Sequence, residues 1–398
     1  MRRPFIRCLW GLIALPILTS AVWAADHRPR AAAIDDRAQS EHVARLIQQL
    51  GAKSFALRQR AQRDLVAAGR AAQDALVIAC DSPDAEVRQR ARQALAEVLD
   101  VDFQVRLDAF LADDAGPEGY GLPCWERFRA LAGDGPLARR LFGDMQRAER
   151  ELLEAAETDL KRVGDVLESR CAQVGQNLSE LAAGSNRANA VPPATLAALL
   201  LVAANEQVPI SLQAGGNLYQ FCRGRTLEQA MLARNTGDIL RRMLVAWVTR
   251  RFSSDSMIAY WNIALGMENE IKESLAPATA VLSAGGVPAH WAPWAILAVG
   301  KFGGREQMPL LEPLLNDSRS IAVPNRGRQE LDAQVRDVAL AVLVHLSGQQ
   351  LADYGFSQAR RHASCLYVAD SLGFNDPEAR DRALKKWRER EQGKENRE

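Results

Sequence analysis

Along most of the chain, apolar side chains return every three or four residues, the period of helices that bury one stripe. The clearest case is a phrase that occurs four times. Its copies are Ser54, Leu57, Arg58, Ala61 and Leu65; Asp84, Val87, Arg88, Ala91 and Leu95; Asp332, Val335, Arg336, Ala339 and Leu343; and Asp376, Ala379, Arg380, Ala383 and Trp387. Each opens on a short polar side chain able to accept an amide hydrogen bond in the first helical turn, and apolar or small residues follow at intervals of four on one face. The central alanine lets a neighbouring helix come close between two larger side chains. A short helix with one apolar stripe must lie against another, so the pattern predicts stacked helices.

The first two arginines are thirty residues apart, and Ala71 to Cys80 reads as a further short helix after the Gly69 break. Helix, turn, helix, turn, helix over so short a span is solenoid grammar. With Asp84, Val87 and Arg88, and again Asp332, Val335 and Arg336, the chain resembles the HEAT-like repeat family, and it is similar to the exported HEAT-repeat proteins of planctomycete-type bacteria. Ser54, Leu57 and Arg58 depart from the family pattern in the serine and the leucine. The resemblance implies an all-α, HEAT-like α-solenoid of helical hairpins, with the aspartates and arginines in structural roles. It carries no particular function, because repeat folds host many.

Between these copies the pattern is less regular. Residues 101–145 are rich in glycine and proline, from Gly116 and Pro117 to Gly135 and Pro136, and predict a loop-rich interruption. Residues 147–183 read as a long helix or a helical hairpin, 184–193 as a polar break, and 195–204 as an apolar helix. Gly215 and Gly216 interrupt the pattern, which predicts a short extended piece or an inward-packed loop. The resulting division is a signal segment over 1–24, N-terminal repeats over 40–100, loop-rich segment and long helices over 101–184, a C-terminal helical repeat domain over 194–388, and a charged tail over 389–398.

The start of the chain changes the expected compartment. Arg2, Arg3 and Arg7 precede an apolar run from Leu9 to Val22, with Ala24 and Ala25 after it, the order of a cleaved secretory signal. The run is short for a membrane span and contains Pro16, so a periplasmic or secreted protein with no membrane insertion after cleavage is expected; an uncleaved anchor is the alternative. With 50 Lys and Arg against 49 Asp and Glu, nothing in the net charge favours nucleic acid as a partner. Six cysteines, at positions 8, 80, 124, 171, 222 and 365, lack the close spacing of a structural zinc site or a redox pair.

The motifs that the chain lacks narrow the function further. The chain has no P-loop, dinucleotide fingerprint, nucleophile elbow or metalloprotease histidine pair. His362 and Cys365 could supply two metal ligands, but no second pair completes a set, and no cofactor is expected. Glu268, Glu270 and Glu273 read as a wet helix face, and Tyr260, Trp261, Trp291 and Trp294 as interhelix core or, alternatively, a groove. The segment 316–330 is longer than an inter-repeat turn and carries Arg319, Arg326 and Arg328. Trp261, Trp291, Trp294 and these three arginines form the candidate binding surface. The expected function is a non-catalytic scaffold for a protein or peptide partner. The alternatives are an enzyme or carbohydrate-binding protein with a site near Tyr260–Trp294, which requires a compact cavity with aromatics and a carboxylate, and a structural cell-envelope component.

Overall fold

The structure is a computed structural model and describes residues 28–113, 116–184, 191–232, 236–321 and 331–395. The signal segment, Arg326 and Arg328 lie outside the described residues. The protein is predominantly α-helical, with the chain dividing into a unit over 1–105 and a unit over 106–398.

The first unit contains α1 (Arg28–Gln49), α2 (Phe55–Ala68), α3 (Arg70–Ala79) and the larger part of α4 (Ala85–Ala112). Its core is the stripe Val43, Leu46, Leu50, Ala61, Leu65, Ala72, Leu76, Ala91, Ala94 and Val98. The repeated phrase builds the same local device twice. Arg58 donates from its guanidinium to the Ala52 carbonyl at 2.8 Å, and Arg88 donates to the Ser82 carbonyl at 2.7 Å, in each case six residues back. Each arginine thereby fixes the turn that enters its own helix. Arg58 also pairs with Glu86 at 2.8 Å, joining the start of α2 to the start of α4. Asp84 caps α4, its carboxylate accepting from the Glu86 amide at 2.8 Å. Leu57 differs from the expected stripe: it is 48% exposed, while Ala61 and Leu65 are fully buried. A first-turn residue projects beyond the stacked part of the helix, so burial starts one turn later.

The second unit carries α5 (Trp125–Ala132), α6 (Pro136–Ala148), α7 (Arg150–Thr158), α8 (Val163–Gly184), α9 (Pro193–Ala203), α10 (Leu212–Phe221), α11 (Gly224–Leu232), α12 (Gly237–Val248), α13 (Met257–Glu268), α14 (Leu275–Ala284), α15 (Ala292–Phe302), α16 (Met308–Leu311), α17 (Val335–Leu346) and α18 (Pro377–Glu395). Three of these are central. Every residue of α9 from Thr195 to Ala203 is buried, as is α17 from Asp337 to Val344, and α15 is buried from Ala295 to Gly300. Helices apolar all round have no water-facing side and must be enclosed. α9 lies against α6, α7 and α12, and α15 lies between α14 and α17.

Residues 101–145, expected to be a loop-rich interruption, are taken up for the greater part by the end of α4, by α5 and by the start of α6, and the loop from Gly116 into α5 is held from inside. Arg139 on α6 is 1% exposed and donates to the carbonyls of Gly116 (2.6 Å), Glu118 (3.3 Å) and Phe110 (2.8 Å), with its guanidinium 3.9 Å from the centre of the Phe110 ring. The Gly215–Gly216 break expected from the sequence is absent: both glycines lie inside α10, capped by Ser211. A Cβ on Gly215 would sit 2.7 Å from the Ile258 side chain, so glycine serves the close approach of α10 and α13. The third phrase also departs from expectation. Its helix start is capped by Asp337, which accepts from the Gln334 amide at 3.0 Å, whereas Asp332 accepts from Arg380 at 3.1 Å. In the fourth phrase the expected cap is present, Asp376 accepting from the Ala379 amide at 2.6 Å, with Pro377 opening α18.

A small β-hairpin interrupts the helices. Strands β1 (Arg361–His362) and β2 (Leu366–Tyr367) pair antiparallel, with Arg361 opposite Tyr367 and His362 opposite Leu366. The three residues 363–365 close it. Gly300 on α15 admits the hairpin, since a Cβ there would lie 2.8 Å from Leu366 Cδ2.

Candidate functional site

Chemically capable side chains gather where this hairpin seats on α13 and α15. Lys301, at the end of α15, donates to the Met267 carbonyl at 3.0 Å, to Glu270 at 2.6 Å and to the Ser364 carbonyl. One ammonium therefore ties the hairpin turn to the C-terminal end of α13, where exposed carbonyls and the helix dipole favour a cation. Within the turn, the imidazole Nδ1 of His362 lies 3.1 Å from Cys365 Sγ and accepts the backbone amides of Ser364 and Cys365, each at 3.2 Å. A ring nitrogen that accepts two amides carries no hydrogen, which places the ring hydrogen on Nε2 and commits the Nδ1 lone pair to the turn. Burial, and then the charge of Glu268, push the Cys365 thiol above its ordinary range, while Lys301 and Arg223 pull it back. Leu366, which follows Cys365, has φ of 67° and so adopts a left-handed conformation.

In front of this pair is a cavity of about 260 Å³ lined by His290, Pro293, Trp294, Leu297, Ile321, His362, Cys365, Tyr367 and the 368–370 segment. α15 supplies one wall at the i and i+3 positions Trp294 and Leu297, and the hairpin supplies the other. Behind Tyr367 stands His345 of α17, edge-on with ring centres 6.0 Å apart; burial, then Arg361, lowers the pKa of this imidazole.

The other expected residues take separate places. Trp261 stacks on Tyr219 at 5.7 Å between ring centres, and Arg223 lies 4.9 Å over that tyrosine while forming two bonds to Glu268 at 2.9 and 3.0 Å. Trp291 precedes α15 and packs on Tyr260 at 5.1 Å and on His290 at 4.7 Å. Arg319 is paired with Asp317 at 2.6 and 2.9 Å, holding that carboxyl below its usual range. Of the four candidate residues that the structure describes, Trp294 is the one that lines the cavity, meeting there Ile321 from the 316–330 segment. The spacing of His362 and Cys365 is legible in the sequence, but their cavity is not, because its walls come from distant parts of the chain. Among the described residues, no group of three or more His, Cys, Asp or Glu side chains is placed to hold a metal ion.

A second, larger hollow of about 770 Å³ opens between α7 and α8. It is wide and polar, with Arg150, Glu151, Arg162, Asp165, Ser169 and Gln173 on its walls. Its floor is rigid: Glu149 is buried and accepts from Arg170 at 2.6 and 2.8 Å and from the Thr195 hydroxyl at 2.8 Å. The fully partnered carboxylate fixes α8 to the central α9.

No family model, curated protein or solved structure matches this chain. No helix among the described residues is long and apolar enough to cross a membrane.

Proposed function

We propose that this protein is an exported, non-catalytic scaffold built from HEAT-like helical hairpins, and that it binds an extended protein or peptide segment. The recurrence of one arginine-to-carbonyl clamp at the starts of α2 and α4, thirty residues apart, supports the repeat reading. The observation that carries the binding reading is the hollow between α7 and α8. It is broad rather than enclosed, its walls alternate in charge, and its floor is held by the Glu149–Arg170 pair. Such a surface suits a chain segment with charges of both signs, whose backbone hydrogen-bonds to Ser169 and Gln173. The test is a peptide array probed with the purified protein, followed by titration of the best peptides. A defined charge pattern should be selected, and Arg162→Glu together with Asp165→Lys should weaken binding at least tenfold. A flat array, or binding indifferent to those changes, would exclude the hollow as the site.

A second reading, a carbohydrate-binding or catalytic protein, is favoured by the cavity at Trp294, which combines two aromatic side chains with the Asp370 carboxylate. An aromatic face and a nearby carboxylate suit a sugar ring. A glycan array separates it from the scaffold reading.

A further inference from the structure

The scaffold reading leaves the cavity beside Trp294 unused, and the carbohydrate reading uses its carboxylate but not its two free hydrogen-bond donors. We propose that this cavity is a binding site for a small neutral aromatic molecule carrying a carbonyl oxygen, with the ring against Trp294 and the oxygen on the Tyr367 hydroxyl.

The hydroxyl is the first observation that calls for a ligand. Tyr367 is 3% exposed and lines the cavity, yet among the described residues its O–H has no hydrogen-bond partner. A tyrosine buried to that degree ordinarily pairs its hydroxyl. Nor is this oxygen sealed in the protein as the unpartnered oxygens of Gln146 and Thr236 are, so the small open part of the side chain includes the hydroxyl, and the cavity is what it opens on. A second donor stands on the same hairpin. Because Nδ1 of His362 accepts the Ser364 and Cys365 amides, the ring hydrogen is on Nε2, and that group also lacks an acceptor among the described residues. The hairpin is braced: Lys301 ties its turn to α13, and the Val368 amide donates to the Arg360 carbonyl at 2.9 Å. Both donors therefore stand ready before anything binds.

The remaining walls select the body of the ligand. The cavity measures about 260 Å³, and Pro293, Trp294, Leu297 and Ile321 face the hairpin across it. An apolar space of roughly 150 Å³ accepts benzene, so this one takes a ring with a substituent. Two donors without an acceptor require an accepting atom, and a carbonyl oxygen offers two lone pairs. The charges argue against an acid. Among the described residues no lysine or arginine lines the cavity whereas Asp370 does, and Arg361, 5.8 Å from the centre of the Tyr367 ring, is outside the lining. A carboxylate would lose its hydration there without a counter-charge.

The test titrates the full chain, by calorimetry, with acetophenone, with ethylbenzene, in which a methylene replaces the carbonyl, with benzoate and with methyl glucoside. Acetophenone should bind saturably and more tightly than benzoate. Tyr367→Phe keeps the ring and removes the oxygen, so it should weaken acetophenone roughly fivefold, the scale of one neutral hydrogen bond, and leave ethylbenzene unchanged. Trp294→Ala should weaken both, with folding of each variant checked by circular dichroism. Absence of saturable acetophenone binding to the unaltered chain overturns the proposal, and so does undiminished binding by folded Tyr367→Phe or a preference for benzoate. Methyl glucoside binding in place of acetophenone overturns it in favour of the carbohydrate reading. The scaffold reading rests on the hollow between α7 and α8, so its peptide array succeeds or fails independently of these titrations.

Discussion

Arg380 of α18 and Asp337 of α17 meet inside the protein, the arginine Nε lying 2.9 and 3.1 Å from the two carboxylate oxygens with side-chain exposures of 3% and 0%. The same guanidinium donates to the Asp332 carbonyl at 2.6 Å. It thus joins the third repeat of the helical phrase to the fourth. Arg380→Ala leaves a carboxylate buried without its counter-charge, which costs about 3–5 kcal/mol. Replacing both members by Arg380→Met and Asp337→Leu should recover much of that loss, since an apolar pair of similar volume removes the stranded charge. Urea unfolding of the two variants checks this, and equal losses in both would show that the carboxylate is not what makes the single change costly.

The same carboxyl makes stability depend on pH. Burial pushes Asp337 from its ordinary 3.8 up to about 6, against the opposing pull of Arg380 and the Gln334 amide. A raised folded-state value means that the native protein binds the proton more tightly than the unfolded chain. The contribution is therefore complete below pH about 4 and is lost as pH rises through about 6, with a steepest slope of about 1.4 kcal/mol per pH unit. Urea midpoints of the unaltered protein and of Asp337→Asn should converge or cross over that window, their difference moving in favour of Asn as pH rises. A difference moving the other way would mean that Arg380 outweighs burial.

Gly300→Ala should disturb the hairpin more than a methyl group usually would. The added carbon would stand 2.8 Å from Leu366 Cδ2 and 2.9 Å from Val342 Cγ1, with α17 on one side and the hairpin on the other. Overpacking of this kind costs about 1–3 kcal/mol. Hydrogen exchange should rise at the amides of Cys365 and Tyr367 if the hairpin yields, whereas an unchanged pattern with unchanged stability would mean that α15 shifts freely.

How far the sequence could be read depends on the range of the force involved. Ala61, Leu65, Ala91 and Val98 announce their helices because burial along one stripe leaves a local period, and the 147–183 segment resolves into the α7–α8 pair for the same reason. Gly215 misleads because the reason for the glycine is Ile258, more than forty residues away, and nothing beside Gly215 records it. The third phrase puts Asp332 at the position of a cap, yet the nearer Asp337 caps the helix and Asp332 serves Arg380. The candidate site follows the same rule. His362 and Cys365 are neighbours in sequence and could be paired on paper, whereas the walls that make a cavity of them, Trp294 and Ile321, come from separate elements.

Arg139 is the strictest example of a contact invisible to pattern, and its substitution tests whether the glycine-rich stretch is ordered by one side chain. Three carbonyls, of Phe110, Gly116 and Glu118, accept from its two terminal nitrogens, and the planar group lies on the Phe110 ring with Trp125 5.2 Å away. A lysine keeps the charge but offers a compact ammonium in place of a planar fork, so it cannot reach all three acceptors or stack as well. Arg139→Lys should therefore cost about 2–3 kcal/mol, the scale of one or two charged hydrogen bonds lost from a buried site. Urea unfolding gives the loss, and hydrogen exchange should place it at the Gly116 and Leu122 amides, which are bonded within this loop. If Arg139→Lys stays within about 0.5 kcal/mol of the parent protein, the size of an ordinary surface change, the loop is held by its aromatic neighbours Phe110, Trp125 and Phe142 and not by the arginine.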